Sequence, residues 1–225
     1  MKIGILITGH AIPEFQKDIG DYDAVFAQML DGHGFEFRGY NVVDEEFPTG
    51  PHDADGWLIT GSKHGAYEDH PWIPPLEQLI RDIYAAGRPL VGVCFGHQII
   101  AQALGGKVEK FKGGWSIGHT KYTIEGQELA INAWHQDQVT ELPPGAQVIG
   151  TSDFCANAAL VYDHRIYTIQ PHPEFTSRMV GQLLETRGRG LVPDTLIDDA
   201  AAKLDIPIDS DKIATRVAEF FKRGA

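Results

Sequence analysis

Short apolar runs alternate with amphipathic stretches along the first half of the chain. Four such runs, each ended by turn residues, predict buried strands at 2–8, 35–43, 56–60 and 89–93. Helices are predicted at 24–30, 72–86 and 97–104. In the second helix the apolar positions recur at helical spacing before Gly87: they are Ile73, Leu76, Ile80 and Ile83. This alternation indicates a parallel sheet that is covered by helices on both faces.

The pattern changes after Gly106. Residues 107–170 are strand-rich, with turn signals at Gly113-Gly114, Glu125-Gly126 and Pro143-Pro144-Gly145. Helical spacing then returns, with one helix beginning near Pro193 and another near Asp209 or Ser210, the latter with Ile213, Val217 and Phe220 on one face. The predicted fold class is therefore α/β: a flavodoxin-like, mostly parallel sheet flanked by helices. A β-rich excursion and a C-terminal helical cap (about 190–225) complete a single domain over 1–225.

Charge and apolar content exclude several classes of partner. The formal net charge is -12, from 19 basic and 31 acidic residues, which argues against nucleic acid and against anionic membranes. Gly9 and His10 end the first apolar run, so we expect neither a secretory nor a transmembrane segment and predict a cytoplasmic protein. In that compartment the two cysteines, Cys94 and Cys155, are expected to be free thiols.

Cys94 lies between a predicted strand and a predicted helix, with Gly92 and Gly96 two residues to either side. The serine nucleophiles of many hydrolases lie on a sharp strand-to-helix turn of this kind, and only small residues fit on either side of the nucleophile. The helix N-terminus favours a thiolate, and the amide of Phe95 would point toward a tetrahedral oxyanion. Most free cysteines are simply buried packing residues, which is our interpretation of Cys155. For Cys94 the flanking glycines favour a nucleophile.

A general base for this cysteine is predicted at His172. The segment Gln170-Pro171-His172-Pro173-Glu174 follows an apparent strand at 165–169, and each proline favours extended geometry in the residue before it. Residues two apart in an extended segment face the same way. Glu174 can therefore orient the imidazole of His172, which completes a nucleophile, base and acid set.

These motifs resemble those of the class I glutamine amidotransferases over roughly residues 40–180. The resemblance rests on Gly92-Val93-Cys94-Phe95-Gly96-His97-Gln98, followed by His172-Pro173-Glu174. Two further segments match: Thr60-Gly61-Ser62 is similar to the family's oxyanion loop, and Trp134-His135-Gln136-Asp137-Gln138-Val139 to a stretch near its glutamine site. Within the family, the chain is most similar to GMP-synthetase-like stand-alone domains and to plant-type γ-glutamyl peptidases.

The resemblance implies an activity and a set of roles. Cys94 would attack the γ-carbonyl of glutamine or a γ-glutamyl compound and form a γ-glutamyl thioester. His172 would protonate the leaving amine and then activate water, while Glu174 orients it. The oxyanion would be held by the backbone amide of Gly61 or Ser62 and by that of Phe95. The implied substrate-binding residues are Gln98, His135 and Asp137. Many relatives carry Gly-Gly in place of Gly61-Ser62, but the chemistry needs only a backbone N–H there.

Three functions remain open on the sequence. The chain is a stand-alone hydrolase of γ-glutamyl amides, an ammonia-supplying subunit for a separate synthetase, or a non-catalytic regulatory relative. The intact Cys94, His172 and Glu174 set argues against the third. A C-terminal extension (193–224) and the segment His135 to Val139, shared with the γ-glutamyl peptidases, favour the first. For that function we expect no large exposed apolar patch around the site's mouth.

No cofactor and no metal are expected. His64 and His70 flank Glu68 and Asp69, but their spacing fits no zinc pattern and the segment resembles a loop. His97 is predicted to pack in the first turn of its helix rather than to act as a base.

Overall fold

The computed structural model describes residues 1–224 as a nine-stranded mixed sheet, a two-stranded ribbon and surrounding helices. The strands are β1 (Lys2–Leu6), β2 (Glu36–Tyr40), β3 (Gly56–Ile59), β4 (Leu90–Val93), β5 (Lys107–Lys110), β6 (Ser116–Ile124), β7 (Gln127–His135), β8 (Asp137–Glu141), β9 (Ala146–Thr151), β10 (Ala159–Tyr162) and β11 (Ile166–Ile169). The α-helices are α1 (Pro13–Asp18), α2 (Tyr22–Met29), α3 (Ile73–Ala85), α4 (Phe95–Ala103), α5 (Ser177–Leu183), α6 (Asp194–Ala201) and α7 (Ser210–Arg223). A 3₁₀ turn spans Val42–Asp44, and a π-helical turn at Leu184–Gly188 continues α5.

The sheet has a parallel half and an antiparallel half. Its strand order is β2-β1-β3-β4-β11-β10-β9-β6-β7. Pairing is parallel from β2 to β11 and antiparallel from β11 to β7. The predicted α/β class with a parallel core is confirmed. The β-rich region is less of an excursion than predicted, because most of its strands extend the main sheet and only β5 and β8 form a separate ribbon.

Helices cover both faces of the parallel half. Trp57 and Ile59 pack into a core with α3 and α4, whereas Leu58 between them packs into a second core with α2 and α7. This alternation is what a strand buried on both faces requires. Helix α7 packs its apolar face into this second core. Ile213, Val217 and Phe221 are fully buried there, and the predicted Phe220 packs against the same core while partly buried.

Element boundaries differ from the predictions for local reasons. β1 and β3 end at Leu6 and Ile59 because Thr8 and Thr60 then bond through their side chains, with the Thr8 amide 3.1 Å from the Thr60 hydroxyl. The end of the predicted strand 35–43 forms the 3₁₀ turn. The short helix α1 was not predicted, since it buries only Phe15. No helix among residues 1–224 combines the length and apolarity that crossing a bilayer demands.

Candidate active site

Cys94 lies at the junction between β4 and α4 in a strained conformation. Its φ of 52° and ψ of -103° place it at positive φ, where non-glycine residues are uncommon and where strain often marks a functional site. Its amide donates to the carbonyl of Ile169 in β11 (2.8 Å), and its carbonyl accepts the first helical bond, from Gln98 (3.1 Å). The turn thus holds the thiol at the carboxyl end of the central parallel strands.

The two flanking glycines allow this turn to close. A Cβ atom on Gly92 would lie 2.6 Å from the carbonyl group of Gly96 and 2.6 Å from Cδ1 of Ile100. A Cβ atom on Gly96 would collide with the backbone of Ile59, and the Gly96 amide donates to the carbonyl of Thr60 (3.1 Å). The helix therefore approaches the strands more closely than any side chain at these two positions permits.

Substituting Gly92 with alanine should destabilise the fold. The added methyl group meets backbone atoms that cannot rotate away, so we expect Gly92→Ala to lower the free energy of unfolding by roughly 1–3 kcal/mol. Gly181 in α5 is the matched control, because a Cβ there would lie 3.5 Å from Leu204, an ordinary contact. Gly181→Ala should be neutral or stabilising by about 0.5–1 kcal/mol. Urea denaturation measures both, and equal midpoints for the two variants would contradict this packing.

The imidazole of His172 is held from three sides. Its Nδ1–H donates to Oε1 of Glu174 (2.7 Å), and its backbone amide donates to the carbonyl of Asn132 in β7 (2.8 Å). Its ring stacks on Phe175 with centroids 4.1 Å apart and planes 3° from parallel. The Asn132 side chain in turn donates to the carbonyl of Phe175 (2.8 Å). Glu174 and these neighbours together fix both the orientation and the tautomer of the ring.

The charge on His172 is stabilised despite its burial. His172 and Glu174 are each 4% exposed. Burial opposes the imidazolium, but Cys94 and Glu174 outweigh that effect through charge and hydrogen bonding, and they raise the pKa of His172 to about 10. Since Nδ1 is engaged by Glu174, Nε2 is left to exchange a proton with Cys94. His172 can therefore carry a proton at neutral pH and offer it from Nε2 on the side of the thiol.

The predicted oxyanion loop is anchored by hydroxyl groups. The carbonyl of Gly61 accepts hydrogen bonds from the side chains of Thr8 and Thr60, both 3.0 Å long, and the Ser62 hydroxyl donates to the Thr8 carbonyl (2.7 Å). Because a trans peptide is planar, the Ser62 N–H points away from those two threonine hydroxyls. The amides of Gly61, Ser62 and Phe95 make no hydrogen bond within residues 1–224. None of these three donors is therefore occupied by another group of the described chain.

Gly61 also lies directly against the side chains of His172 and Cys94. A Cβ atom at Gly61 would be 2.9 Å from Cε1 of His172 and 3.8 Å from Cβ of Cys94. Ser62, which follows, has a structural role: its hydroxyl donates to the carbonyl of Thr8, which follows β1, and accepts a bond from the His64 amide (3.1 Å). This side chain thus secures the loop without occupying its backbone donors.

A pocket of about 310 Å³ opens over the thiol. The predicted site residues that line it are Cys94, His172, Ser62, Gln98, His135 and Asp137. Gly61 and Phe95 are not among the lining residues, and Glu174 lies behind His172. His97 is fully buried, with Nδ1 2.8 Å from the Thr168 hydroxyl and a pKa that burial lowers to about 3. It remains neutral in the core.

Gln98 and His135 converge on one backbone atom. The side-chain amide of Gln98 donates to the carbonyl of Asp137 (3.0 Å) and to Gln170 (3.1 Å), and Nδ1 of His135 lies 3.3 Å from the same Asp137 carbonyl. Burial, together with the neighbouring charge of His172, lowers the pKa of His135 to about 3. Both side chains therefore position Asp137, in addition to forming part of the pocket wall.

The Asp137 carboxylate is the charged group of the predicted substrate set. Burial raises its pKa, although a hydrogen bond from Tyr67 and the charge of Lys110 act in the opposite direction. Two further cations, Lys63 and Arg187, line the same pocket. The pocket therefore presents two carboxylates, of Asp137 and of the more exposed Glu68, and several cationic side chains.

Part of the pocket was not predicted. The segment that follows α5 brings Arg187 and Leu191 to the pocket, although both are distant from Cys94 in the sequence. Tyr22 and Trp115 reach the same pocket from two other distant regions of the chain. None of these residues belongs to a recognisable motif. The π-helical geometry around Arg187 is common at functional sites but has no sequence pattern of its own.

Comparison with known proteins places this chain in one family. Residues 37–187 match the family glutamine amidotransferase class-I, and the chain belongs to that family. It is 30% identical to γ-glutamyl peptidase 2 of Arabidopsis thaliana, over 76% of this chain and 75% of that protein. It is 34% identical to a glutamine-hydrolyzing GMP synthase of Azoarcus sp., over 59% of this chain but only 28% of that protein.

A solved structure shares the whole fold. The glutamine amido transferase from Methylobacillus flagellatus superimposes with a TM-score of 0.78 at 24% identity, covering 99% of this chain and 94% of that one. The layers described above, α7 included, are therefore those of a glutamine amidotransferase fold. The predicted resemblance to this family is confirmed.

Proposed function

We propose that this chain is a cysteine amidase that hydrolyses the γ-amide of glutamine or of a γ-glutamyl compound through a γ-glutamyl thioester, without a synthetase. The observation that carries the proposal is the assembled Cys94, His172 and Glu174 set at the base of the pocket. Glu174 is in hydrogen-bond contact with His172 at 2.7 Å in the isolated chain. A subunit that awaits a partner has no need of an aligned set.

The geometry supports a two-step reaction. The Cys94 thiolate attacks the γ-carbonyl carbon, and the carbonyl oxygen becomes an oxyanion beside the free amides of Ser62 and Phe95. Nε2 of His172 then gives its proton to the leaving amine as the C–N bond breaks. In the second step neutral His172 takes a proton from water, whose oxygen attacks the thioester carbon and releases glutamate and the thiolate. Glu174 stabilises the imidazolium in both steps.

Recognition of the glutamyl group is assigned to the charges on the pocket wall. A γ-glutamyl substrate carries an α-ammonium and an α-carboxylate at the end distant from the scissile bond. Asp137 is the carboxylate suited to the ammonium, and Lys110 and Arg187 are the cations that border the pocket for the carboxylate. Charge-assisted hydrogen bonds of this kind are about twice as strong as neutral ones.

Removing the charge of Asp137 should weaken substrate binding rather than chemistry. Loss of one charge-assisted bond of about 1.5–3 kcal/mol predicts a KM for Asp137→Asn that is roughly 10–150-fold higher, with a smaller change in kcat. In the unchanged protein, KM should rise as the pH falls through the raised pKa of Asp137, because the protonated carboxyl no longer attracts an ammonium. Steady-state kinetics measured from about pH 4 upward, beginning near the ordinary pKa of a carboxyl group, tests the effect of the substitution and the effect of pH. Exposed Asp153, converted to Asn, is the control. An unaltered KM would exclude Asp137 from recognition.

An ammonia-supplying subunit is the second candidate. Two large apolar side chains at the mouth of the pocket are exposed: Leu191 (57% exposed) and Tyr67 (47%). A stand-alone hydrolase does not require exposed apolar side chains at this position. Such side chains favour a docking partner. The similarity to a GMP synthase points the same way, since that protein hydrolyses glutamine and is much longer than this chain.

One measurement separates the two candidates. The isolated protein is offered glutamine and a panel of γ-glutamyl peptides, and the release of glutamate is followed at steady state. Turnover by the isolated chain supports the amidase. If no substrate is turned over, yet adding a synthetase raises glutamine hydrolysis by orders of magnitude, the chain is the subunit.

A further inference from the structure

Three potential metal ligands converge in the loop between Ser62 and α3. Oε2 of Glu68 lies 2.8 Å from Nε2 of His70 and 3.4 Å from Nδ1 of His64. The two imidazole rings lie edge to face with centroids 4.3 Å apart, and the ligand atoms of all three residues fall within 4.8 Å of one another. Linear spacing did not predict this cluster, because the loop folds back on itself and brings the side chains together.

The distances suit a small tetrahedral ion. Zinc is bound at about 2.0–2.2 Å by imidazole nitrogen and carboxylate oxygen, so neighbouring ligand atoms in a tetrahedral site lie roughly 3.3 Å apart. The Glu68–His64 separation already matches that value, and the Glu68–His70 pair would need to open by about half an ångström. Two imidazoles and one carboxylate also form the protein ligand set of known zinc sites that keep one position open.

The cluster is held in place by packing. The ring of Trp72 stacks on His70, 5.8 Å away and 11° from parallel, and meets His64 edge-on at 5.8 Å. Backbone bonds close the loop, from the Glu68 amide to Gly65 (3.0 Å) and from the His70 amide to Glu68 (3.1 Å). The histidines therefore cannot move far apart.

We propose that His64, Glu68 and His70 bind one divalent transition-metal ion of the zinc class at the rim of the pocket. His64 and Glu68 line the pocket, so the ion would border the substrate's entrance. It would also brace the oxyanion loop, because His64 follows Ser62 by two residues while Trp72, at the other end, packs on Phe95 with ring centroids 5.5 Å apart. The site is independent of whether the proposed hydrolysis is correct.

The test measures metal binding in a background without the reactive thiol. Thiolates bind these metals, so Cys94→Ala is used throughout. Zn²⁺ alone is titrated by calorimetry, and Co²⁺ alone by visible absorption, whose intensity distinguishes tetrahedral from octahedral coordination. We expect one ion per chain and an intense, tetrahedral-type Co²⁺ spectrum. Loss of a group that only orients a ligand costs about 10–100-fold in affinity, so His64→Ala and His70→Ala should each cost at least that.

His33→Ala is the matched control, since it removes a histidine outside the pocket, next to Phe35. It should leave affinity and spectrum unchanged. Thermal unfolding of each variant shows whether the fold persists. Glu68→Gln removes the third ligand while keeping the size of the side chain, and it should also lower the affinity. Absence of binding, an octahedral-type spectrum, or an affinity that none of the three loop substitutions lowers would overturn the site.

Discussion

Cys94→Ala is expected to lower kcat/KM for γ-glutamyl amides by about 10⁴–10⁶-fold, the range found when a catalytic nucleophile is removed. No other thiol can substitute, because Cys155 is fully buried and burial raises its pKa to about 12. The same change should abolish covalent labelling by a glutamine analogue that carries a diazo-ketone group. Mass spectrometry of the labelled protein and steady-state glutamate release provide the two measurements.

Cys155→Ala serves as the control for that experiment. It removes the chain's other cysteine at a site in the second core, so it should retain both labelling at Cys94 and turnover. Persistence of the label in the Cys94→Ala protein would show that the nucleophile lies elsewhere.

His172→Ala should be nearly as damaging as loss of the thiol, again about 10⁴–10⁶-fold in kcat, since the base and the thiol act as one unit. Glu174→Gln should retain a rate roughly 10–100-fold higher than that. The glutamine keeps a polar atom beside Nδ1 of His172, but it removes the charge that helps raise the pKa of the imidazole. Loss of His172 is expected to be the more damaging change because His172 transfers the proton itself, whereas Glu174 orients the imidazole.

The His172→Ala and Glu174→Gln variants are compared by their initial rates of glutamate release. Active-site labelling gives the amount of competent protein in each sample. His97→Gln is the matched control, because it removes a neighbouring histidine that is buried and neutral. It should lower the stability of the fold more than it lowers the turnover per labelled active site. If Glu174→Gln proved more damaging than His172→Ala, the two roles would have to be reassigned.

The parts of the site that could be predicted were those encoded locally. Gly92 and Gly96 reveal the turn around Cys94 because close backbone approach excludes every other residue there. Pro171 and Pro173 reveal the extended path that places Glu174 beside His172. In each case a few adjacent residues determine the geometry, so the pattern is legible without knowledge of the fold.

The parts that could not be predicted depend on long-range packing. Leu191 reaches the pocket only because α5 and the π-helical turn after it pack beside β6 and α1 in a third core. Loop closure brought His64 and His70 together, and no periodic pattern describes an irregular loop. The prediction of a C-terminal helical cap did not say which sheet face α7 covers, because the amphipathic pattern of a helix does not identify the surface that it packs on.

Cys94 and His172 both follow strands of the parallel half, but His172 is also supported by the antiparallel half. Cys94 extends from β4 in the parallel core, whereas His172, just beyond β11, bonds through its amide to Asn132 in the antiparallel hairpin β6–β7. Proteins open locally in cooperative units whose stabilities differ. A fluctuation that frees the hairpin would withdraw the imidazole's support while the core around Cys94 remains folded. We therefore expect a change that loosens only the hairpin to lower turnover before it lowers the stability of the parallel core.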